Sequence, residues 1–110
     1  MSARQRRPGQ VAPLFAALGD ETRLALVARL SAGEDLSVTG LTAGSGITRQ
    51  AVSKHLRVLA GAGLVRSSRR GRERLWRLEP SRLRDARRSL EQLSRQWDES
   101  LGRLKAMVED

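Results

Sequence analysis

Thr48-Arg-Gln-Ala-Val-Ser-Lys-His-Leu-Arg-Val-Leu-Ala60 runs into Gly61-Ala-Gly-Leu-Val65 and then into Arg66-Ser-Ser-Arg-Arg-Gly-Arg-Glu-Arg-Leu-Trp-Arg-Leu78. The first part has a helical period. Ala51, Val52, Leu56, Leu59 and Ala60 fall on one apolar face, Thr48 stands where a capping residue is wanted, and the glycines at 61 and 63 end the helix. The last part changes period. Val65 follows Leu64, and Trp76 and Leu78 alternate with Arg77, so two strands are predicted around a turn centred on Gly71.

Working upstream, Ser37 can cap a short helix through Leu41 and Thr42, ended by Gly44-Ser45-Gly46. Residues 37–43 and 48–60 are then two helices joined by a turn of small residues, a helix-turn-helix, and the basic hairpin behind them makes the unit winged. Before it, Val11, Leu14, Phe15 and Leu18 recur at helical spacing up to Gly19. Asp20 caps a further helix with Leu24, Val27, Ala28 and Leu30 on its buried face. Downstream, Pro80-Ser81 opens a last helix that runs almost to the end. The expected architecture is mainly α with a small β-hairpin, in the order α-α-α-α-β-β-α. It divides into a basic disordered arm (1–10), a winged helix-turn-helix domain (11–80) and a C-terminal dimerisation helix (81–110).

Charge picks out the same central stretch. Residues 48–77 hold nine Lys or Arg against one acid, Glu73, a net +8 out of +9 for the chain. Residues 1–10 carry +3, residues 11–47 carry −2, and residues 78–110 balance. Basic charge confined to one helix and hairpin is the footprint of a surface built for a polyanion. With the apolar face turned inward, Arg49, Gln50, Ser53, Lys54 and Arg57 are left outside. Arg and Lys pair guanine O6 and N7, Gln bonds adenine bidentately, and Ser reaches a base or a phosphate. Helices of this type enter the major groove by their N-terminal end. Arg49, Gln50, Ser53 and Lys54 are therefore assigned to base edges and Arg57 to the backbone, with Thr48 at the cap beside them. His55, the one histidine, reads as a phosphate or flanking contact, with core packing second. Arg69, Arg70, Arg72 and Arg74 on the wing are expected at phosphates or in a narrow minor groove. Taken singly, each could be a solvated surface residue; the turn, the wing and the local charge together favour double-stranded DNA as the partner.

Composition narrows the alternatives. A chain of 110 residues has room for one modest core, and with Phe15, Trp76 and Trp97 as its only aromatics that core must be built from Leu, Val and Ala. There is no cysteine, which excludes disulfides and thiolate metal sites and fits a reducing cytoplasm. No apolar run approaches the roughly 18 residues of a membrane span, and the basic N-terminus is not followed by a signal-type apolar stretch. No nucleophile–base pair, metal-ligand cluster or phosphate-cradling glycine loop is visible, so an enzyme is not expected, and neither is a cofactor. The competing reading is a winged-helix interaction module whose basic face binds an acidic protein or RNA.

The last helix carries Leu83, Ala86, Leu90, Leu93, Trp97, Leu101, Leu104 and Val108 at spacings of 3, 4, 3, 4, 4, 3 and 4. That is one continuous stripe, longer than a small domain can bury. An antiparallel pairing with the same helix of a second chain is expected, aided by Val11, Leu14, Phe15 and Leu18. Two-fold symmetry would set the two recognition helices about one DNA turn apart.

The run Phe15-Ala-Ala-Leu-Gly-Asp-Glu-Thr-Arg-Leu24 resembles the opening of ArsR-type (arsenic-repressor-like) bacterial regulators. So does Thr48-Arg-Gln-Ala-Val-Ser-Lys-His-Leu-Arg-Val-Leu59 with Ala62-Gly-Leu-Val65, Gly71-Arg and Trp76-Arg-Leu78. The resemblance implies a cytoplasmic, homodimeric winged-helix repressor that binds an inverted-repeat operator and often regulates its own gene. It also implies a metal-releasable class whose thiolates lie on the helix matched here by Leu36-Ser-Val-Thr-Gly-Leu41, where Ser37 and Thr39 stand in place of cysteines. A hydroxyl is a poor soft-metal ligand. A second familiar site needs histidines that residues 78–110 lack, and Asp98, Glu99 and Glu109 read as solvated charges. No transition-metal site is expected. The C-terminal segment from Leu93 to Glu109 is similar to a subgroup without metal sites, commonly encoded beside a START-like small-molecule-binding or stress protein. A small-molecule effector, a protein partner or no inducer at all stay open.

Overall fold

The computed structural model describes residues 11–109; the basic arm expected at 1–10 lies outside the described residues. The elements are α1 (Ala12–Leu18), α2 (Glu21–Leu30), α3 (Val38–Thr42), α4 (Arg49–Gly61), β1 (Val65–Arg70), β2 (Glu73–Leu78) and α5 (Pro80–Glu109). The order is the one expected from the sequence, mainly helical with one antiparallel hairpin.

Three helices begin on the side chains the sequence offers. Asp20 Oδ2 accepts from the Arg23 N–H, Ser37 Oγ from the Gly40 N–H and Thr48 Oγ1 from the Ala51 N–H, each at 3.0 Å. A Ser or Thr cap of this kind contributes about 1 kcal/mol. The hairpin turn needs Gly71, whose φ of +63° disfavours a side chain; Arg70 and Glu73 face each other across it, leaving two turn residues.

The core lies where α1, α2, α3, α4 and the base of the hairpin meet. Leu14, Leu30, Leu41, Leu56, Leu59 and Leu64 are its fully buried leucines, and Val52, Val65 and Trp76 close it. β2 also makes a short bridge to Leu36: the Leu36 N–H donates to Trp76 O at 3.0 Å and the Trp76 N–H to Leu36 O at 2.8 Å. This rung holds the base of the hairpin against the start of the helix-turn-helix.

Three burial expectations are corrected. In α2 the inward stripe is Leu26, Val27 and Leu30, while Leu24 is 54% exposed and Ala28 is exposed as well. The cause is Arg23, whose Nε donates to Ala17 O at 2.6 Å. Positions 23, 26, 27 and 30 share one helix face, so turning Arg23 inward swings Leu24 outward by about 100°. In α4, Ala60 is exposed, because Val52, Leu56 and Leu59 already define the buried stripe. In α1, Leu14 is 0% exposed and belongs to the core of its own chain. The surface α1 can offer a partner reduces to the half-buried Phe15 and Leu18 and their exposed neighbours.

The opening turns of α5 belong to the body. Ala86 is buried and Leu83 packs on the core, the Glu79 N–H donates to Leu64 O at 2.8 Å, and Arg82 Nε donates to Ala62 O at 3.2 Å. From Leu90 to Glu109 every residue is exposed. The helix therefore projects, and the radius of gyration is 18.1 Å against about 13 Å for a compact domain of this length. No helix among the described residues is long and apolar enough to cross a membrane.

Candidate nucleic-acid interface

α4 is aimed by contacts on its inner side. His55 Nδ1 accepts from Arg23 Nη1 at 3.3 Å and stands 3.9 Å from Asp20 Oδ2; its side chain is 25% exposed. Arg23 thereby joins the end of α1, the start of α2 and the middle of α4. His55 thus has its Nδ1 turned inward, where it anchors the helix. Arg23 went unrecognised as a positioning residue, because nothing in its spacing says which carbonyl or ring it will meet. A second tie, Arg29 Nη2 donating to Gly40 O at 3.1 Å, holds α3 to α2.

With its inner face held, α4 presents Arg49, Gln50, Lys54 and Arg57 to solvent and Ser53 half-buried at the edge. Arg49, Gln50, Ser53 and Arg57 share the wall of a shallow depression of about 460 Å³ with Val38 of α3. Four of the five outward residues expected on this helix are thus brought to one surface; Lys54 lies on the neighbouring flank. The helix N-terminus, with most of its first N–H groups unsatisfied, adds positive potential at the same end.

The wing extends the charged surface. In the β1–β2 ladder Arg69 faces Arg74 and Arg66 faces Arg77. Like charges directly across strands are destabilising, so an isolated hairpin gains nothing from this pattern. Arg66 is relieved by Glu79, Nη1 to Oε2 at 2.7 Å, which also fastens the wing to the start of α5. Arg74 Nη1 donates to Ser67 Oγ at 3.0 Å. Among the described residues, none of Arg49, Lys54, Arg57, Arg69, Arg70, Arg72, Arg74 and Arg77 makes an ion pair with an acid.

The two carboxylates at the edges of this surface are held in the charged form. The Arg23 backbone N–H lowers the pKa of Asp20, helped by the nearby Arg23 guanidinium. The hydrogen bond from Arg66 lowers that of Glu79, helped by the Ser81 N–H. Both act from behind the surface, so they orient its parts without neutralising the outward cations.

A capped helix whose outer face is cationic and polar, set beside an arginine wing on one small body, defines a winged helix-turn-helix DNA-binding protein. Residues 18–68 match a helix-turn-helix domain family. The chain is 40% identical over 85 residues to the helix-turn-helix transcriptional regulator Rv2034 of Mycobacterium tuberculosis, covering 77% of this chain and 76% of that one. It is 44% identical over 68 residues to the helix-turn-helix transcriptional regulator YuzN of Bacillus subtilis, covering 56% of this chain and 74% of that one. An ArsR-like transcriptional regulator from Rhodococcus superposes with a TM-score of 0.76 at 37% identity, over 88% of this chain and 91% of the other. A homodimeric winged helix-turn-helix DNA-binding domain from Mycobacterium bovis superposes with a TM-score of 0.62 at 29% identity, over 84% and 82%. The chain belongs to the ArsR family of helix-turn-helix transcriptional regulators.

Proposed function

We propose that the chain is a dimeric repressor of its own operon, binding an inverted-repeat operator in the cytoplasm with one α4 in each half-site. The observation that carries this reading is the set of eight cations on α4 and the wing that make no ion pair with an acid among the described residues. A surface of that kind gains free energy by displacing counterions from phosphates. Arg49, Gln50, Ser53 and Lys54 read base edges, Arg57 holds the backbone, and Arg69, Arg70, Arg72 and Arg74 grip phosphates or the minor groove. The homodimeric relative from M. bovis supports a dimer, and the exposed α5 stripe supports its forming through α5, with Phe15 and Leu18 of α1 beside it. Regulation is not by thiolate metal binding, since Ser37 and Thr39 occupy the positions where the family's metal-responsive members carry cysteines.

The test is fluorescence-anisotropy binding to the DNA upstream of the chain's own gene against a shuffled duplex, over a salt series. A preference of roughly a thousandfold or more, at two chains per site, is expected. Equal and salt-sensitive binding to both duplexes would instead favour a general basic surface for RNA or an acidic protein.

A further inference from the structure

At the foot of the wing the body opens a cavity of about 610 Å³, inside the range of roughly 300–1,000 Å³ common for small-molecule sites. Its wall takes the end of α2 and the loop after it, the base of the hairpin and the first turn of α5. It takes none of the residues assigned above to bases or phosphates. The apolar part of the wall is the buried Leu30, with Leu78 and Leu83 half-buried against the core. Charge of both signs lines the rest. Glu79 is taken by Arg66 at 2.7 Å. Glu34, Asp35 and Arg77 form no ion pair with one another or with any other described residue.

Two unpaired carboxylates and one unpaired guanidinium around an apolar surface narrow the class of ligand. A polyanion is repelled by Glu34 and Asp35, which separates this cavity from the DNA surface. A simple carboxylate meets the same two acids, and a simple amine meets Arg77. A molecule with both charges on an apolar body suits all three groups. We propose that the cavity binds a zwitterion of the amino-acid or short-peptide class. Its ammonium lies at Glu34 and Asp35, its carboxylate at Arg77 and its apolar side chain on Leu30, Leu78 and Leu83. Hydrogen bonds between ionised groups are the stronger ones, and the apolar body adds in proportion to the surface it removes from water.

The site is coupled to the wing through Arg66. Arg66 faces Arg77 across the ladder, so a carboxylate at Arg77 comes within reach of Arg66 as well. There it competes with Glu79, whose ion pair fastens the wing to the start of α5. Glu79 is the better held of the two: its side chain is 22% exposed against 72% for Arg66, and the Ser81 hydroxyl donates to its Oε1 at 3.3 Å. Arg66 is therefore the partner that turns to the ligand, and the tie between wing and body is loosened. Ligand binding lowers operator affinity in consequence, and by linkage DNA lowers ligand affinity by the same factor. This coupling rests on the repressor reading above; the site itself does not.

The full chain, without DNA, is titrated with L-phenylalanine and with L-leucyl-L-phenylalanine while its amide proton–nitrogen correlation spectrum is recorded. Saturable shifts at millimolar concentration or below are expected at residues 30–35, 66 and 77–83. Phenylethylamine and phenylpropanoate, which each lack one charge, should bind at least about tenfold more weakly than L-phenylalanine. Glu34→Gln/Asp35→Asn should abolish the preference over phenylpropanoate, and Arg77→Gln the preference over phenylethylamine, each with an otherwise unchanged spectrum. Failure of both zwitterions to shift these residues, or equal affinity for the single-charge analogues, would overturn the site. Anisotropy on the upstream duplex then reads the coupling: saturating ligand should lower operator affinity by about fivefold or more. An operator affinity that stays the same while the ligand fills the cavity would overturn the coupling through Arg66 and leave the site standing. A chain that binds the upstream duplex no better than a shuffled one would overturn the repressor reading instead, and the DNA-free titration still decides the site.

Discussion

Arg49, which opens α4, and Lys54, at its middle, are exposed and pair with no acid among the described residues, and a residue so placed acts through what it meets outside the chain. Arg49→Ala or Lys54→Ala should lower operator affinity by about 1–3 kcal/mol and relax preference at one base position, measured by anisotropy on single-base operator variants. An Arg49→Ala chain that binds all such variants as tightly as before would remove that residue from base contact. Asp20 and Glu79 act from behind the surface, and their effect is on pH dependence. Each has a folded pKa below its ordinary value, so the unfolded chain takes up its proton first as pH falls. Their contribution is complete above the ordinary carboxylate range and fades as pH drops through about 4 and below. Asp20→Asn/Glu79→Gln, which keeps a capping oxygen at residue 20, should show a shallower fall in thermal midpoint from pH 5 to pH 3. An identical fall in both proteins would mean that other carboxylates control acid stability.

Among the elements, the hairpin carries a conflict between stability and binding. Arg69 and Arg74 are directly opposed, a pairing that costs the isolated protein and benefits it only beside an anion. Arg74→Glu should therefore raise the thermal midpoint, by a gain of about 0.2–1 kcal/mol from the new cross-strand pair, while weakening DNA binding and flattening its salt dependence. A loss of stability together with unchanged DNA affinity would place this part of the wing away from the duplex. α4 was largely legible from its residues: its cap, its glycine end and its Val52–Leu56–Leu59 stripe are local properties. α2 was not, because two stripes one step apart were both plausible from periodicity. The choice fell to Arg23, whose partners lie in α1 and α4.

At the scale of the molecule, a body of about seventy residues carries a helix it cannot cover. Stability of the exposed half of α5 must come from association, since an isolated helix of that length is marginal in water. Trp97→Ala should shift the chain toward monomer in sedimentation and weaken operator binding as a consequence, whereas Arg49→Ala should leave the dimer intact. A Trp97→Ala chain that remains dimeric would move the centre of the interface away from that residue. The two variants thus separate assembly from recognition, which a single binding assay would merge.

What the residues determined by themselves was everything set by neighbours along the chain. Caps at Asp20, Ser37 and Thr48, the glycine turn at Gly71, the basic stretch and the long stripe of α5 are all short-range patterns, and each appears in the structure where its chemistry asks for it. What only the tertiary structure decided was the facing of side chains that two environments could accept. His55 turned inward to Arg23 and Asp20, Leu24 turned out, and Leu14 was taken into its own core. An amphipathic or short apolar side chain has no preference along the sequence strong enough to choose between such places. The choice is made by whichever distant partner buries the most apolar surface while leaving no polar group without a bond.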